Sequence, residues 1–324
     1  MPRRSLGLVA ALACALLGAG GAMAQTPGAV LVVNSGAASL SVIDLAGRTE
    51  RTNIPVLREP HHWALSPDRR ELLVGDSAGN EMLVLDPASF AIKRRLPMAD
   101  PYQLGFSPDG KFLVVNGISR NQVDVYDARS YALVKRFSMK SMPSHLDFAP
   151  DGGTVFVSLQ GTGQAAAIDL RAMSVLWTVP VGAAPAGVMW LGGKLLVANM
   201  GSDNFVVLNP ATGAVERRVV TGRGAHQLFL SPDRKILYVN NRVDSTTVAL
   251  DAATLAPIRS YKVPGGPDDL VFAPDGRIWI TLRFAAKVGV LDPRTGVLET
   301  FPVGRSPHGI YIQGATNSGG GGVR

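Results

Sequence analysis

Short apolar segments alternate with polar turns along nearly the whole chain, and the turns recur at an almost constant spacing. Five of them contain Ser-Pro-Asp or Ala-Pro-Asp, with the proline at positions 67, 108, 150, 232 and 274. Successive prolines are 41 or 42 residues apart, except across one gap of 82 residues that spans two units. The degenerate copy in that gap is Leu191-Gly192-Gly193. A fixed period of this length indicates a repeat protein.

A second series of polar residues has the same period. An aspartate or asparagine follows each apolar run of the type Leu83-Val84-Leu85, at positions 44, 86, 127, 169, 209, 251 and 292. Seven phased markers indicate seven units. Because Asp and Asn side chains accept hydrogen bonds from backbone N–H groups in turns, we interpret this series as turn caps and not as catalytic carboxylates.

Each unit predicts four short strands, A to D, with strand A before the Pro-Asp turn and strand C before the second marker. This pattern predicts an all-β fold, a seven-bladed β-propeller with four-stranded blades. Residues 30–33 form a strand B with no strand A before it, and residues 306–312 form a lone strand A. The C-terminal strand is therefore predicted to join blade 1 and close the ring, which leaves no open inner edge.

The composition agrees with this architecture. Hydrophobic residues make up 46% of the chain and charged residues 18%, and there are 36 glycines and 22 prolines. This mixture is typical of many short strands joined by tight turns and excludes a disordered chain. The formal net charge is +7, but the basic residues are scattered and no aromatic stacking motif accompanies them. We therefore expect no nucleic-acid partner.

The first 24 residues have the features of a signal peptide. Arg3 and Arg4 precede an apolar run at residues 6–17, and Ala22-Met23-Ala24 forms a small-x-small cleavage site. No later apolar run is long enough to span a membrane. These features predict export to the periplasm or secretion.

The expected organisation is a signal peptide (1–24), one seven-bladed propeller (25–313) and a disordered glycine-rich tail (314–324). Cys14 is the only cysteine and lies in the leader, so the mature chain is expected to have no disulfide or thiolate site. We expect a monomer.

The repeat units resemble YVTN-repeat β-propellers. The resemblance is best seen in Ser231-Pro232-Asp233, Tyr238-Val239-Asn240-Asn241 and Val248-Ala249-Leu250-Asp251, and it covers residues 28–312. It implies a secreted propeller similar to the YncE-like proteins, with a more distant resemblance to haem d1-type propellers. The c-type haem motif C-x-x-C-H is absent, which excludes a complete cytochrome cd1 enzyme. Such a scaffold hosts unrelated functions, so the resemblance implies the fold more than the activity.

Candidate chemistry lies at the starts of the A strands, which meet at one mouth of the central channel. We align them on the residue seven positions before the Pro-Asp proline. The first slot after it holds His61, Tyr102, Ser144, Ala186, His226, Asp268 and His308. The second slot holds His62, Gln103, His145, Gly187, Gln227, Asp269 and Gly309. All five histidines of the chain fall in these two slots.

Two interpretations of this concentration remain open. The histidines either satisfy backbone groups at strand starts or form a ligand site on neighbouring blades 6, 7, 1 and 2. In the second interpretation a divalent transition metal is the expected ligand, because imidazole and carboxylate suit such ions. The predicted metal ligands are His61, His226, Asp268 and His308.

Four further residues are predicted to bind a ligand at the same mouth. The two arginines among them favour an anion as an alternative to the metal. The four residues are Tyr102, Asn241, Arg242 and Arg283. Metal binding should weaken on acidification, whereas anion binding should strengthen. The sequence favours a non-enzymatic binding or scaffold protein whose partner, a periplasmic protein or a small ligand, binds at the channel mouth. The alternative is an enzyme or a cofactor- or metal-handling propeller, either lyase- or lactonase-like or a haem d1-type binder.

Overall fold

The computed structural model describes residues 28–314, and the expected signal peptide and the tail beyond residue 314 lie outside them. The described residues form seven four-stranded antiparallel sheets and one short 3₁₀ turn, Ser35–Ala37. The prediction of a seven-bladed β-propeller with four-stranded blades is therefore confirmed.

The A strands are the inner strands of the blades and contact one another around the ring. In chain order they are β4 (Pro60–Leu65), β8 (Gln103–Phe106), β12 (Pro143–Phe148), β16 (Pro185–Leu191), β20 (Ala225–Leu230), β24 (Pro267–Phe272) and β28 (Pro307–Ile312). The B strands are β1 (Ala29–Asn34), β5 (Leu72–Asp76), β9 (Phe112–Gly117), β13 (Thr154–Leu159), β17 (Lys194–Asn199), β21 (Ile236–Asn241) and β25 (Ile278–Leu282). Both sets are almost entirely buried, as expected for the two strands nearest the axis.

The C and D strands complete each blade on its outer side. The C strands are β2 (Ser39–Asp44), β6 (Glu81–Leu85), β10 (Gln122–Asp127), β14 (Gln164–Asp169), β18 (Asn204–Leu208), β22 (Thr246–Asp251) and β26 (Lys287–Leu291). The D strands are β3 (Glu50–Pro55), β7 (Ile92–Pro97), β11 (Leu133–Ser138), β15 (Ser174–Pro180), β19 (Val215–Val220), β23 (Pro257–Lys262) and β27 (Leu298–Pro302). The D strands are mostly exposed, which explains their polar composition.

The ring closes through blade 1, where β28 pairs antiparallel with β1 in the sheet order β28-β1-β2-β3. Leu31 lies opposite Tyr311, and the backbone N–H of Gln313 donates to the carbonyl of Ala29 at 2.9 Å. The predicted closure by the C-terminal strand is confirmed.

A separate hydrophobic cluster lies between each pair of neighbouring blades, giving seven in the described chain. The cluster between blades 7 and 1 includes Val271, Trp279 and Ile310, all nearly inaccessible to solvent. Each blade therefore buries its two faces only against its neighbours, which is the physical reason that the ring must be complete.

The turn residues act as the sequence predicts. Asp86 Oδ1 accepts from the backbone N–H groups of Ala88 (3.0 Å) and Ser89 (2.9 Å), and the other members of its series accept similar bonds. The unit without Pro-Asp instead turns through Gly192 and Gly193, whose φ values are +56° and +80°. Two successive positive φ values favour glycine, so this hairpin uses a different turn in place of the lost motif.

The A strands contain an irregularity at the slots that hold the histidines. In β4, Pro60 lies opposite Asp76 and Trp63 opposite Val74, so β4 has one more residue than β5 between these pairs. The same region shows a register shift in six of the seven blades. Such a bulge interrupts the strict alternation of side chains and redirects them. In an unbroken strand, period-2 alternation would place the two slots on opposite faces, so it favours first-slot residues alone as members of the site.

Candidate functional site

The five histidines and Tyr102 lie together at the starts of inner strands from blades 1, 2, 3, 4 and 6. All five imidazoles are at most 7% exposed. The ring centroids are separated by 4.3 Å for His62–His308, 5.1 Å for His62–His145, 5.1 Å for His145–His226, 4.9 Å for His61–His308 and 4.5 Å for His61–Tyr102. We call this group the histidine cluster. Side chains from both slots enter it, as the bulge permits.

The B strand of the preceding blade fixes the backbone that carries several of these side chains. Asn240 Nδ2 donates to the carbonyl of Asp268 at 3.0 Å, and Thr281 Oγ1 donates to the carbonyl of His308 at 2.7 Å. These bonds tie the starts of the A strands to the neighbouring blade and so help to hold their side chains rigidly.

Asp268 is the centre of the charged part of the site. Its side chain is fully buried, and its Oδ1 lies 3.0 Å from His226 Nδ1. Arg242 donates to Oδ1 through Nε at 3.1 Å and also through Nη2, while Arg283 Nη1 donates to Oδ2 at 3.2 Å. His308 Nε2 is 3.8 Å from Oδ2. One carboxylate thus serves two guanidinium groups.

Burial alone would raise the pKa of Asp268, but Arg242, His308 and His226 together hold it well below its usual range. The carboxylate is therefore ionised at neutral pH. Arg242 and Arg283 have side-chain exposures of 12% and 22%, so they lie at the boundary between the buried cluster and the solvent. Two cations thus face one fully buried anion at this boundary, and Glu59, whose pKa is lowered by its bond to His61 and by Arg283, is a second carboxylate near them.

His61 has a different environment from the other histidines. Its Nε2 lies 3.1 Å from Glu59 Oε1, and its Nδ1 lies 3.5 Å from Ser35 Oγ. Burial lowers the pKa of His61, and the bond to Glu59 partly opposes that effect. Both ring nitrogens of His61 therefore face protein atoms.

The remaining imidazoles are neutral at neutral pH. Burial is the largest cause, because it disfavours the charged ring. It lowers the pKa of His226 to about 4 and the pKa values of His62, His145 and His308 well below the usual range.

This burial predicts acid lability. The unfolded chain binds protons near pH 6.5, whereas the native histidines do not bind them until the pH is far lower, so the free energy of unfolding falls as the pH drops from about 6.5 towards 4. In EDTA, we expect the melting temperature at pH 4.5 to be at least about 10 °C below that at pH 7.5. Calorimetric scans across this range measure the effect. A flat profile would contradict the burial of neutral imidazoles.

The structure brings together most of the residues selected from the sequence. His226, Asp268, His308 and His61 follow one another around blades 6, 7, 1 and 2, and Tyr102 packs against His61. Asn241 is separate from them: its amide donates to the carbonyl of Thr221 and to Thr246 Oγ1, and accepts from Thr221 Oγ1. Its polar atoms are thus used to join its turn to the neighbouring loop.

Sequence reasoning placed His62 and His145 in the second slot but did not select them as site residues. The concentration of all histidines in two slots was the signal that could have included them. Among residues 28–314, no three His, Cys, Asp or Glu side chains already converge on a point suited to a metal ion.

The family model of the YncE-like β-propellers matches residues 5–316, which is nearly the whole chain. The chain belongs to the YncE-like β-propeller family. Among curated proteins, none matches it closely enough to count as a relative. In the described part of this YncE-like propeller, no helix has the length and apolarity needed to cross a membrane.

Several solved structures share the fold of this YncE-like propeller. The periplasmic gluconolactonase PpgL of Pseudomonas aeruginosa has 20% sequence identity and a TM-score of 0.71, covering 89% of this chain and 99% of its own. The dihydro-heme d1 dehydrogenase NirN in complex with DHE has 15% identity and a TM-score of 0.66, with coverages of 87% and 74%. Hydrazine synthase of Kuenenia stuttgartiensis has 16% identity and a TM-score of 0.66, with coverages of 84% and 92%. Their differing names indicate a shared scaffold with varied functions.

Proposed function

We propose that this chain is an exported binding protein that holds a small anionic molecule, a carboxylate or a phosphate, at the channel mouth. The proposal rests on one observation: Arg242 and Arg283 both donate hydrogen bonds to the same buried carboxylate, that of Asp268. The leader-like sequence of residues 1–24 supports export, and the name of the structural neighbour PpgL includes a periplasmic location.

The donors that Arg283 leaves unused favour an anion. Arg283 uses only Nη1 on Asp268, so its Nε and Nη2 donors remain available in the described structure. A guanidinium fork matches the geometry of carboxylate and phosphate oxygens. Because both arginines are only partly exposed, their attraction for an anion is screened less than that of a surface charge. A bound anion would therefore pair with the guanidinium donors that Asp268 does not use.

The buried cluster favours binding over a purely structural use of the channel. Buried polar side chains without partners cost free energy, and a scaffold could fill the channel with apolar side chains at lower cost. Neighbours of this fold include NirN, which is described in complex with DHE, and PpgL, which is described as a gluconolactonase. The second candidate function is catalysis or cofactor handling at the same mouth. It is favoured by the imidazoles near Arg283 that have no hydrogen-bond partner.

The Arg283→Gln variant tests anion binding. We expect the wild-type protein to bind inorganic phosphate, acetate or succinate in calorimetric titrations at low salt, and the variant to bind at least tenfold more weakly because it loses the uncommitted donors. Arg305→Gln is the matched control, because Arg305 is an exposed arginine in a loop of the same face. Equal affinities of the wild type and Arg283→Gln, or equal losses in both variants, would contradict a specific anion site.

A further inference from the structure

Four of the histidines surround the channel axis from different directions. They are His308 in blade 1, His62 in blade 2, His145 in blade 4 and His226 in blade 6. Around this quartet the ring centroids are 4.3, 5.1, 5.1 and 6.3 Å apart in the order His308–His62–His145–His226–His308. We call them the axial histidines. They form a closed ring of imidazoles contributed by four separate strands.

Most of their ring nitrogens have no protein partner. His62 Nε2, His145 Nε2, His226 Nδ1 and both nitrogens of His308 are buried without a hydrogen bond of good geometry among the described residues, although His226 Nδ1 lies 3.0 Å from Asp268 Oδ1. Each such nitrogen costs free energy, because burial removes water without supplying a replacement. A ligand that accepts several lone pairs at once would remove this cost.

Two axial histidines have the supports that metal-binding imidazoles usually have. His226 Nδ1 lies 3.0 Å from Asp268 Oδ1, and His145 Nδ1 lies 2.8 Å from Ser144 Oγ. In the tautomer whose Nδ1–H donates to such a carboxylate or hydroxyl, the Nε2 lone pair is free for a metal. Because Nδ1 of both rings faces these side chains, Nε2 is the nitrogen that each ring has left for a metal, and His145 Nε2 is buried without a partner.

We propose that His62, His145, His226 and His308 bind one divalent transition-metal ion on the channel axis. Two imidazoles on one ion at a metal–nitrogen distance of about 2.1 Å have ring centres roughly 5 Å apart, close to the observed separations. The rings now pack edge to face, with interplanar angles of 77° to 83° between consecutive members. Among residues 28–314 their nitrogens do not yet converge on one point. The His χ2 torsion is broad, so rotation of the His62 and His308 rings aims their partnerless nitrogens at the axis while His145 and His226 keep their Nδ1 contacts.

The surrounding chemistry selects the ion. Neutral imidazoles without thiolates suit Cu²⁺, Zn²⁺ and Ni²⁺ better than Mg²⁺ or Ca²⁺. Asp268 is engaged by Arg242 and Arg283, and it therefore acts as a support of His226 and not as a ligand. His61 is likewise engaged by Glu59. Compared with the ligands predicted from the sequence, the proposed set therefore keeps His226 and His308. It contains His62 and His145 in place of Asp268 and His61.

Metal titration of EDTA-treated protein tests the proposal. We expect Cu²⁺ and Zn²⁺ to bind one per chain with a Kd of micromolar or tighter in competition with a chromophoric chelator. The His62→Gln and His145→Gln variants should each bind at least about 100-fold more weakly. His61→Gln is the matched control and should retain the wild-type affinity. A wild-type Kd weaker than about 100 µM, or an equal loss in His61→Gln, overturns the site.

Electron paramagnetic resonance of the wild-type Cu²⁺ adduct gives a second readout that does not depend on the folding of any variant. Superhyperfine coupling to at least three nitrogens is expected, and coordination by fewer nitrogens overturns the proposal. Arg305→Gln, which changes an exposed arginine of the same face, should bind metal like the wild type. The anion test uses Arg283→Gln and the metal test uses His62→Gln and His145→Gln, so the two sites can fail independently of each other.

Discussion

Removal of residues 306–324 is expected to leave the protein unfolded or insoluble. The deletion takes away β28, and with it the inner strand of blade 1. Ile310, Tyr311 and Ile312 are each at most 3% exposed, and burial of one such side chain contributes roughly 1.5–3 kcal/mol. Three of them account for a large part of the 5–15 kcal/mol by which domains are stable.

The loss extends beyond these side chains. Without β28, the edge of β1 is open, and the hydrophobic cluster between blades 7 and 1 loses Ile310 and Ile312. The backbone N–H of Ile310 also donates to Asp269 Oδ2 at 3.2 Å, a bond that joins blades 7 and 1. An open, apolar strand edge promotes association with other chains.

Circular dichroism and thermal melting of the soluble fraction measure this effect. The matched control is deletion of residues 315–324 alone, which removes no described strand and should leave the melting temperature within a few degrees of the wild type. A chain without residues 306–324 that melts at the wild-type temperature would refute closure of the ring by β28.

The Asp268→Asn substitution is expected to change stability and anion affinity in opposite directions. It leaves Arg242 and Arg283 in a mostly buried position without their shared counter-ion. Removal of one partner of a buried ion pair costs about 3–5 kcal/mol. In a chain of this size, that corresponds to a fall of roughly 6–20 °C in melting temperature.

The same substitution should strengthen anion binding. Without Asp268 the two guanidinium groups are no longer partly neutralised, so we expect phosphate to bind at least about tenfold more tightly, which corresponds to 1.4 kcal/mol. A ligand of the native state raises stability by mass action. Phosphate should therefore recover more of the melting temperature in Asp268→Asn than in the wild type.

Asp269→Asn is the matched control. Burial raises the pKa of Asp269 to about 8, so this carboxyl is largely uncharged at pH 7 and the substitution leaves the charge of the mouth nearly unchanged. Its oxygens accept from the backbone N–H groups of Leu270 and Ile310, away from the arginines. We expect a loss of stability without tighter phosphate binding. Unchanged stability and phosphate affinity in Asp268→Asn would show that Asp268 is not the counter-ion of the two arginines.

The fold could be predicted from the sequence because the repeat is local. Each Pro-Asp turn and each Asp cap acts within a few residues, so positions such as Asp86 carry the period directly. The unpaired segments at residues 30–33 and 306–312 were enough to predict closure. The turn at Gly192 and Gly193 shows that the architecture persists where the motif is lost.

The site was predictable only in part. The alignment placed every histidine at the start of an A strand, but strict alternation of side chains gave no reason to select His62 and His145. The bulge that redirects them depends on pairing between strands and leaves no motif in a single strand. The hydrogen bonds of Asn241 to Thr221 and Thr246 likewise depend on contacts between different segments, which periodicity does not encode. The same is true of the hydrogen bonds from Arg242 and Arg283 to Asp268.

The pairing of β1 with β28 also fixes when blade 1 can fold relative to the other blades. During synthesis the first strand of the ring is made almost a whole chain before the strand that covers it, an interval of tens of seconds at ordinary rates of translation. Blades 2 to 7 have all their strands in sequence and can form as they appear, whereas blade 1 must wait for the last strand. Nascent chains therefore carry an exposed β1 edge until synthesis is nearly complete, which is when they are most vulnerable to misassembly with one another.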